Sequence, residues 1–437
     1  MDNDVFKRRR IRYLERIGSD DVAILASAPL TSRNRDVHFP YRQDSDFYYL
    51  TGFPEPDAVA VFLPNRKKGQ FVLFCKDFDP NKAIWEGRHA GLKGARKQYG
   101  ADESYAIEEI NEVMPDLLVN RERIHCGLGR NPEFDRMLLD WVVRVKSRTR
   151  SGIRAPEEFV DMDRVLHEMR LIKDSEEIGA MRHAAEISCQ AHIRAMQECR
   201  PGLYEYQIEA EVQHEFMSRG ARSTAYPSIV AGGDNACVLH YTENNDPLQA
   251  GDLLLIDAGA EYDYYAADIT RTFPINGRFS SPQRALYELV LEAQLAAIDK
   301  VRPGNHWNEP HEAAVKILTR GLVKLGLLEG RPSRLIKKEL YKDFYMHRTG
   351  HWLGMDVHDV GDYKVDDQWR ELKAGMVLTV EPGLYIGKHC KQVARRWRGI
   401  GIRIEDDVLV TESGCEVLTE SLPKQIEDIE ALMEARS

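Results

Sequence analysis

Two segments of this chain share one pattern, and each ends in an acidic residue. Residues 251–259 and 375–383 both begin with glycine, continue as an apolar run typical of a buried β-strand, and finish with an acid before a glycine-containing turn. The acids are Asp257 and Glu381. Because a lone carboxylate is costly to bury, a compensating positive charge is expected beside each of them.

A second strand-like segment follows each of these acids, over residues 267–273 and 401–408. These segments contribute Asp268 and Glu405, so the sequence predicts two hairpins related by internal duplication, each presenting two carboxylates. A single acid at a strand end is usually an exposed turn residue. Four converging carboxylates, however, do not all stay ionised without cations, and the duplicated pattern therefore favours a pair of metal ions.

Histidine is concentrated between residues 346 and 361. His347 and His351 have the i, i+4 spacing of a zinc-protease helix, but Arg348 stands where that motif requires Glu. The glycines of this stretch also argue against a regular helix. His358 follows in the same stretch, so it holds more histidines than packing alone requires.

The predicted donor set of several carboxylates and one imidazole is rich in oxygen and hard. Such ligands favour Mn²⁺ over metals that prefer thiolates, and Co²⁺ and Zn²⁺ also remain compatible with them. Two cations sharing carboxylates would hold a hydroxide and polarise a carbonyl, so hydrolysis is the predicted chemistry. His240 stands alone in the sequence, and a structural role is as compatible with it as a catalytic one.

Length and composition constrain the elements that must position these residues. With 437 residues the chain exceeds what one hydrophobic core normally supports, so two domains are expected. The first is predicted to be an α/β domain because strand and helix patterns alternate along it. Its strands are expected at residues 22–25, 59–63 and 71–74, and its helices at residues 108–118 and 133–145.

The domain boundary is predicted near residue 172, which gives domains of residues 1–172 and 173–437. Residues 174–177, Asp-Ser-Glu-Glu, are typical of a capping box that starts a long helix. The second domain is predicted to be α+β, since it combines the carboxylate strands with amphipathic helices. Those helices are expected at residues 205–219, 281–300 and 312–325.

Charge and cysteine content argue against several classes of protein. The formal net charge of -10 is unfavourable for binding nucleic acid, and no apolar run approaches the length needed to span a membrane. The seven cysteines are scattered without a C-x-x-C pair, which is typical of a reducing cytoplasm. The basic residues 7–10 and Arg12 invite comparison with a twin-arginine export signal, but no apolar region follows, so an exposed basic helix is predicted.

The chain resembles the pita-bread metallopeptidases, and within them the bacterial aminopeptidase P family, over nearly its whole length. The resemblance rests on residues 256–259, 268–273, 351–354, 380–383 and 403–407. It includes residues 39–47 and 51–53 of the first domain, which methionine aminopeptidases lack. The later motifs alone would not separate this chain from prolidase.

The resemblance implies a creatinase-like N-terminal domain, a pita-bread catalytic domain with internal duplication, and two Mn²⁺ ions per subunit. It assigns the metal ligands to Asp257, Asp268, His351, Glu381 and Glu405, with Asp268 and Glu405 bridging both ions. Glu381 would also take the proton of the bridging water.

The resemblance further assigns substrate contacts to His240, His347, His358, Tyr385, Trp85 and Arg403. His240 and His358 would hold the substrate carbonyl and stabilise the tetrahedral intermediate. His347 and Tyr385 would line a proline pocket, and Arg403 would also support the carboxylates.

Two assignments of the resemblance depend on residues outside these motifs. Tyr226 matches a tyrosine that contacts the metal site, although residues 223–225 depart from the family pattern. Residues 84–88 resemble an inter-subunit loop and imply a homotetramer in which Trp85 lines a neighbouring subunit's site. An ordinary core tryptophan is the alternative for Trp85.

The implied reaction is hydrolysis of the bond between an N-terminal residue and a following proline, whose nitrogen carries no hydrogen. A prolidase, restricted to Xaa-Pro dipeptides, is the main alternative, and Asp36 and Trp85 in the first domain bear on that choice. A non-catalytic pita-bread binding or chaperone module and a metal-free creatinase-like hydrolase are also conceivable. Both are disfavoured because all five candidate ligand positions are filled.

Overall fold

The structure is a computed structural model that describes residues 1–435, without the side chains of Lys82 and Glu86. The chain divides into two compact units, one from Met1 to Met169 and one from Arg170 onward. The boundary predicted from the sequence falls three residues further along the chain. Among the described residues, no helix combines the length and apolar character needed to cross a bilayer.

The first unit contains a mixed sheet and the helices that cover it. Helices that begin in this unit are α1 (Asn3–Leu14), α2 (Ser45–Thr51), α3 (Pro80–Glu86), α4 (Gly91–Lys97), α5 (Ile110–Leu117), α6 (Pro132–Lys146) and α7 (Asp163–Leu171). Its strands are β1 (Val22–Ala26), β2 (Ser32–Asn34), β3 (Val37–His38), β4 (Val59–Phe62), β5 (Phe71–Cys75), β6 (Glu103–Ala106), β7 (Arg123–Cys126) and β8 (Glu158–Asp161).

The strand order of the main sheet is β6-β5-β4-β1-β7-β8. The pairs β1–β4 and β4–β5 are antiparallel, and the remaining neighbours are parallel. The three strands predicted from apolar runs are the adjacent strands β1, β4 and β5. Their residues are almost all buried, which is why their sequences are continuously apolar instead of alternating.

The expectation of an exposed basic helix at the start of the chain is wrong in part. The helix exists as α1, but Arg9 and Arg10 are buried. The Arg9 guanidinium lies 4.2 Å from the centre of the Tyr49 ring, and Arg10 donates a 3.0 Å hydrogen bond to the Leu50 carbonyl. Burial lowers the pKa of Arg10 to about 10. A guanidinium is weakly hydrated and stacks on aromatic rings, so charge alone did not reveal this packing.

The second unit contains the remaining helices and several small antiparallel sheets. Its helices are α8 (Ser175–Glu198), α9 (Glu205–Ser218), α10 (Ser281–Ile298), α11 (Asn308–Lys324), α12 (Pro332–Lys337) and α13 (Ile426–Glu434). Its strands are β9 (Ser223–Thr224), β10 (Ile229–Gly232), β11 (Leu253–Asp257), β12 (Ala260–Tyr262), β13 (Tyr265–Ala266), β14 (Thr270–Pro274), β15 (Lys364–Val365), β16 (Gln368–Trp369), β17 (Val377–Val380), β18 (Gly383–Ile386), β19 (Ile400–Arg403), β20 (Asp406–Val410) and β21 (Cys415–Val417).

The long helix α8 starts with the predicted capping box. The Asp174 carboxylate accepts a hydrogen bond from the Glu177 amide at 2.9 Å, and the Glu177 carboxylate accepts one from the Asp174 amide at 3.0 Å. These bonds satisfy amides that the first helical turn leaves unpaired. The three further predicted helices correspond to α9, α10 and α11, the last of which begins at Asn308, before the predicted start.

The two predicted hairpins are confirmed. Strand β11 pairs antiparallel with β14, and β17 pairs antiparallel with β20. In the second repeat Pro382, which lacks an amide hydrogen, separates β17 from β18, and β18 then pairs with β19. The repeats meet where the Thr270 carbonyl accepts a 3.1 Å hydrogen bond from the Glu405 amide. This junction brings the acids of both hairpins to one place.

Candidate metal centre

A cavity of about 680 Å³ in the second unit brings together most of the residues singled out in the sequence. The predicted metal ligands on its wall are Asp257, Asp268, His351, Glu381 and Glu405, and the other predicted site residues there are His240, His347, His358, Arg403 and Tyr226. Tyr385 reaches this group through hydrogen bonds to two of its members. Trp85 lies in the first unit, on α3.

Close backbone contacts explain two of the glycines in these motifs. A Cβ atom on Gly259 would lie 1.7 Å from the Ala267 carbonyl oxygen, so only glycine allows the turn after Asp257 to pass the residue before Asp268. A Cβ atom on Gly350 would lie 2.0 Å from the Thr379 carbonyl oxygen. Glycine there lets the histidine-bearing segment lie directly against β17.

Three candidate ligands converge most tightly. Single ligand atoms of Asp268, His351 and Glu405 lie within 4.8 Å of one another. The His351 Nε2 atom is 3.2 Å from Asp268 Oδ2 and 3.8 Å from Glu381 Oε1. His351 Nδ1 lies 2.9 Å from the Trp352 carbonyl, which only accepts, so the hydrogen is on Nδ1. The Nε2 atom therefore faces the carboxylates, and after loss of its proton it would offer a lone pair to a metal ion.

Asp257 is held by two other side chains. The Tyr226 hydroxyl lies 2.6 Å from Oδ1 of Asp257 and 2.6 Å from Oδ1 of Asp268. Arg403 Nη2 donates a 2.5 Å hydrogen bond to the other oxygen of Asp257. Tyr226 therefore contacts two candidate ligands although the sequence just before it departs from the family pattern.

The carboxylates of the cavity are incompletely neutralised by the protein. Burial raises the pKa of Asp257, raises that of Glu381 to about 7, and raises that of Glu405 well above its usual range. Arg403 opposes this effect, whereas neighbouring carboxylates add to it. Burial alone would lower the pKa of His351, but its bond to Asp268 raises it to about 9. Such a donor set fits divalent cations, which would supply the missing positive charge.

Further hydrogen bonds orient the carboxylates. Arg403 Nε donates to the Thr270 hydroxyl at 3.0 Å, and that hydroxyl donates to Glu405 Oε2 at 2.5 Å. The amide of Asp268 donates to the buried carboxylate of Asp407, with the shorter contact at 3.1 Å. Metal ligands commonly have such supporting partners.

His347 belongs to a continuous chain of hydrogen bonds. Its Nδ1 atom donates to the Arg348 carbonyl at 2.7 Å, so its Nε2 atom accepts from the Tyr385 hydroxyl at 2.7 Å. The Tyr385 oxygen in turn accepts a 3.2 Å bond from Arg403 Nη1. Burial lowers the pKa of His347 to about 3, so this imidazole is neutral near pH 7.

The other two histidines of the cavity are more exposed. His358 packs against His351 with ring centres 4.3 Å apart, and burial followed by the charge of His351 lowers its pKa. His240 also lies on the cavity wall. Both can present a hydrogen-bond donor to a molecule in the cavity.

Sequence reasoning missed the ion pair beneath the site. Arg271 and Asp406 are fully buried and paired at 2.7 Å, and Arg271 Nη1 also donates to the Glu405 carbonyl at 2.6 Å. Asp406 accepts further bonds from Gln294 and Lys424, each at 2.6 Å. One sequence pattern could have indicated this pair. Side chains alternate between the two faces of a strand, so Arg271, after Thr270, and Asp406, after Glu405, point away from the cavity.

Two observations in the first unit limit other interpretations. Trp85 is 88% exposed, so the core alternative for it is wrong. Asp46, Asp163 and His167 also cluster like metal ligands. However, the Arg130 guanidinium contacts both acids, at 2.8 Å from Asp46 Oδ2, and already supplies the opposite charge.

Comparison with known proteins defines the class of this chain. Residues 179–412 match the model of metallopeptidase family M24, and residues 6–125 match the model of the aminopeptidase P N-terminal domain. The chain therefore belongs to metallopeptidase family M24, in the branch that carries the aminopeptidase P N-terminal domain.

Particular relatives match over almost the full length. The Xaa-Pro aminopeptidase of Escherichia coli is 45% identical over 98% of this chain and 97% of its own, and that of Haemophilus influenzae is 46% identical over 98% and 96%. The solved structure of the Pseudomonas aeruginosa aminopeptidase PepP superposes with a TM-score of 0.99 at 56% identity, covering 100% of this chain and 98% of the other. These matches confirm the predicted family and the predicted fold of both domains.

Proposed function

We propose that this chain is an Xaa-Pro aminopeptidase, which removes the first residue from peptides whose second residue is proline. The observation that carries the proposal is the convergence of four acids and His351 on one cavity, in a chain that matches Xaa-Pro aminopeptidases end to end. The residues that would hold two divalent cations are Asp257, Asp268, His351, Glu381 and Glu405.

Two divalent cations held by these ligands would polarise the scissile carbonyl and make a water molecule acidic enough to attack it near pH 7. Manganese is the proposed metal because the donors are mainly carboxylates. Zinc and cobalt suit the same ligand types, and one solved Escherichia coli aminopeptidase P is described as Zn substituted and in complex with product.

Glu381 is the proposed proton carrier. Without cations, burial raises its pKa to about 7, and bound cations would lower it, so the carboxylate would be ionised and able to accept a proton near neutral pH. The leaving group needs that proton, because the proline nitrogen departs as a neutral amine and an amide anion is a poor leaving group. Glu381 would therefore accept the proton of the attacking water and deliver it to the proline nitrogen.

The histidines are proposed to bind substrate. His240 and His358 would donate hydrogen bonds to the carbonyl oxygen as negative charge develops on it. His347 and Tyr385 would form the wall against which the proline ring packs. The hydrogen bonds from Arg403 to Tyr385 and from Tyr385 to His347 support this wall as a rigid surface.

Prolidase activity is the alternative, and a comparison of three peptides distinguishes a prolidase from an Xaa-Pro aminopeptidase. With Mn²⁺ present, the protein should cleave Gly-Pro-Ala and leave Gly-Pro and Gly-Ala-Ala nearly untouched. Faster turnover of Gly-Pro would make it a prolidase. Equal turnover of Gly-Ala-Ala would remove the proline specificity, since the ring would then not be what fills the pocket.

We also propose a homotetramer located in the cytoplasm. The exposed side chains of Ile84 and Trp85 support an interface at α3, with Trp85 lining a neighbouring subunit's site. All seven cysteines are free, which supports a reducing compartment.

A further inference from the structure

A second cavity adjoins the candidate metal centre and shares one charged residue with it. This cavity has a volume of about 600 Å³ and is bounded by α11, α12 and Trp369 of β16. Arg348 lies on the wall of both cavities. The chemistry proposed above makes no use of the second cavity.

The backbone on both sides of the Arg348 side chain is fixed. The Arg348 carbonyl accepts the 2.7 Å hydrogen bond from His347 Nδ1. The next residue, Thr349, is buried, and its hydroxyl lies 2.8 Å from His311 Nδ1 and 2.6 Å from the Tyr345 hydroxyl. Arg348 is therefore attached directly to the wall of the proposed proline pocket.

The guanidinium of Arg348 is positioned but still has free hydrogen-bonding capacity. It stacks over the Trp369 ring at 4.8 Å and donates one hydrogen bond to Asn308 Oδ1. Among the described residues, Asn308 is the only hydrogen-bond acceptor that it contacts. A guanidinium has five N–H donors, so the others remain for a ligand, and its planar shape matches a carboxylate.

The wall of the second cavity has a small excess of positive charge. The metal-centre cavity carries four acids and two arginines, Arg348 and Arg403, and the proposed cations would offset the remaining negative charge. The wall of the second cavity has three cations, Lys316, Arg320 and Arg348, against two acids, Glu312 and Glu339. Its one histidine, His311, is neutral near pH 7 because burial lowers its pKa to about 4. This excess of positive charge favours a carboxylate in the second cavity.

We propose that the second cavity binds the residues that follow proline and that Arg348 binds a carboxylate there. The proposal rests on the proposed function, because a proline seated beside His347 would bring the next residue to Arg348. The carboxylate belongs either to the C-terminus of a tripeptide or to an acidic side chain after proline.

Paired substrates test this binding site in the Mn²⁺-loaded enzyme. The pairs are Gly-Pro-Ala with its C-terminal amide, and Gly-Pro-Asp amide with Gly-Pro-Asn amide. In Arg348→Ala the preference for the charged member of at least one pair should fall roughly ten- to hundredfold in kcat/KM, mainly through KM. The affected pair identifies the source of the carboxylate, and Arg348→Lys should restore part of the preference. Unchanged preferences in both pairs would overturn the proposal.

Lys364→Ala is the matched control. Lys364 also stacks on Trp369, at 4.6 Å, but lines neither cavity, so its removal should leave both preferences intact. If Lys364→Ala reproduced the loss, the effect would come from Trp369 and the proposal would be wrong.

Calorimetric binding of Pro-Ala, its amide, Pro-Asp amide and Pro-Asn amide keeps this test separate from catalysis. Arg348→Ala should weaken binding of a charged member relative to its neutral partner, whichever bond the enzyme cleaves. Loss of that selectivity without any Xaa-Pro cleavage would overturn the proposed function and uphold the binding site. Cleavage of Gly-Pro-Ala with unchanged selectivity would uphold the proposed function and overturn the binding site.

Discussion

Protein hydrogen bonds hold the side chains of the candidate metal centre in place. His351 donates through Nδ1 to the Trp352 carbonyl and turns Nε2 toward Asp268. Glu405 accepts from the Thr270 hydroxyl. Such anchoring fixes the ligand atoms before a cation arrives, which reduces the entropy lost on binding.

Replacement of His358 should separate catalysis from metal binding. In His358→Ala, kcat on Gly-Pro-Ala should fall roughly 10²–10⁴-fold, because the developing charge on the carbonyl oxygen loses a donor. The metal content, measured by elemental analysis, should not change. His306→Ala, an exposed histidine outside the cavity, is the control and should keep full activity. Loss of metal from His358→Ala would instead make His358 a ligand.

A buried histidine under the first hairpin should make stability depend on pH. His192 donates from Nε2 to the Ala258 carbonyl at 2.9 Å, and burial lowers its pKa from 6.5 to about 4. Between these values the unfolded chain binds more protons than the folded one. The contribution of His192 to the free energy of unfolding is therefore fully present above pH 6.5 and is lost as the pH falls toward 4. The loss attributable to His192 should reach roughly 3 kcal/mol.

Urea unfolding of the wild type and of His192→Gln, from about pH 7.5 down to about pH 4, measures this contribution. The difference between the two unfolding free energies should vary with pH. A constant difference would show that His192 does not titrate in this range. The comparison also removes the titration of the carboxylates, which both proteins share.

Sequence patterns predicted which residues form the site better than they predicted the contacts of those residues. The five candidate ligands could be predicted because each lies in a short motif with an apolar strand or glycines around it. The role inferred for Arg348 could not be predicted from the sequence. Its partners Asn308 and Trp369 lie on other elements, and nothing in residues 346–361 indicates them. The burial of Arg9 and Arg10 was missed for the same reason.

At the scale of elements, the site depends on the line where the two repeats meet. The sequence predicted each hairpin, because apolar runs and glycines are local signals. It did not predict their junction, where the Thr270 hydroxyl contacts a Glu405 oxygen across 135 residues of chain. Contacts of that separation depend on the packing of the whole unit.

The buried pair Arg271–Asp406 should stabilise this junction. Asp406→Asn leaves the Arg271 guanidinium without its charge partner in a fully buried position, which should lower the free energy of unfolding by about 3–5 kcal/mol. Because Arg271 also donates to the Glu405 carbonyl, metal affinity should weaken as well. Denaturant unfolding and metal titration measure the two effects.

Glu416→Gln provides the matched comparison for Asp406→Asn. Glu416 pairs with Arg182 at 2.7 Å, but both side chains are about half exposed, and surface pairs of this kind contribute little. Its unfolding midpoint should stay close to that of the wild type. Equal midpoints for Asp406→Asn and Glu416→Gln would show that the buried pair does not hold the junction.

At the scale of the whole molecule, the exposed apolar residues of α3 bear on assembly. Ile84 is 79% exposed and Trp85 is 88% exposed, which is unfavourable in water unless another surface covers them. We expect a tetramer at micromolar concentration in sedimentation experiments, and smaller species for Trp85→Ala. Val143→Ala, which shortens another exposed apolar side chain, should sediment like the wild type. A monomeric wild type would contradict the proposed assembly.

Metal removal and return tests most directly whether five residues of this chain hold two catalytic cations. Protein stripped with a chelator should lose activity on Gly-Pro-Ala by orders of magnitude, because metal ions provide several kcal/mol of transition-state stabilisation. As Mn²⁺ is added, bound metal should saturate at two ions per chain and activity should return. Glu405→Ala, which lacks one of the proposed ligands, should bind less metal and stay inactive. Full activity of the stripped protein, or full activity of Glu405→Ala with two ions bound, would contradict the account.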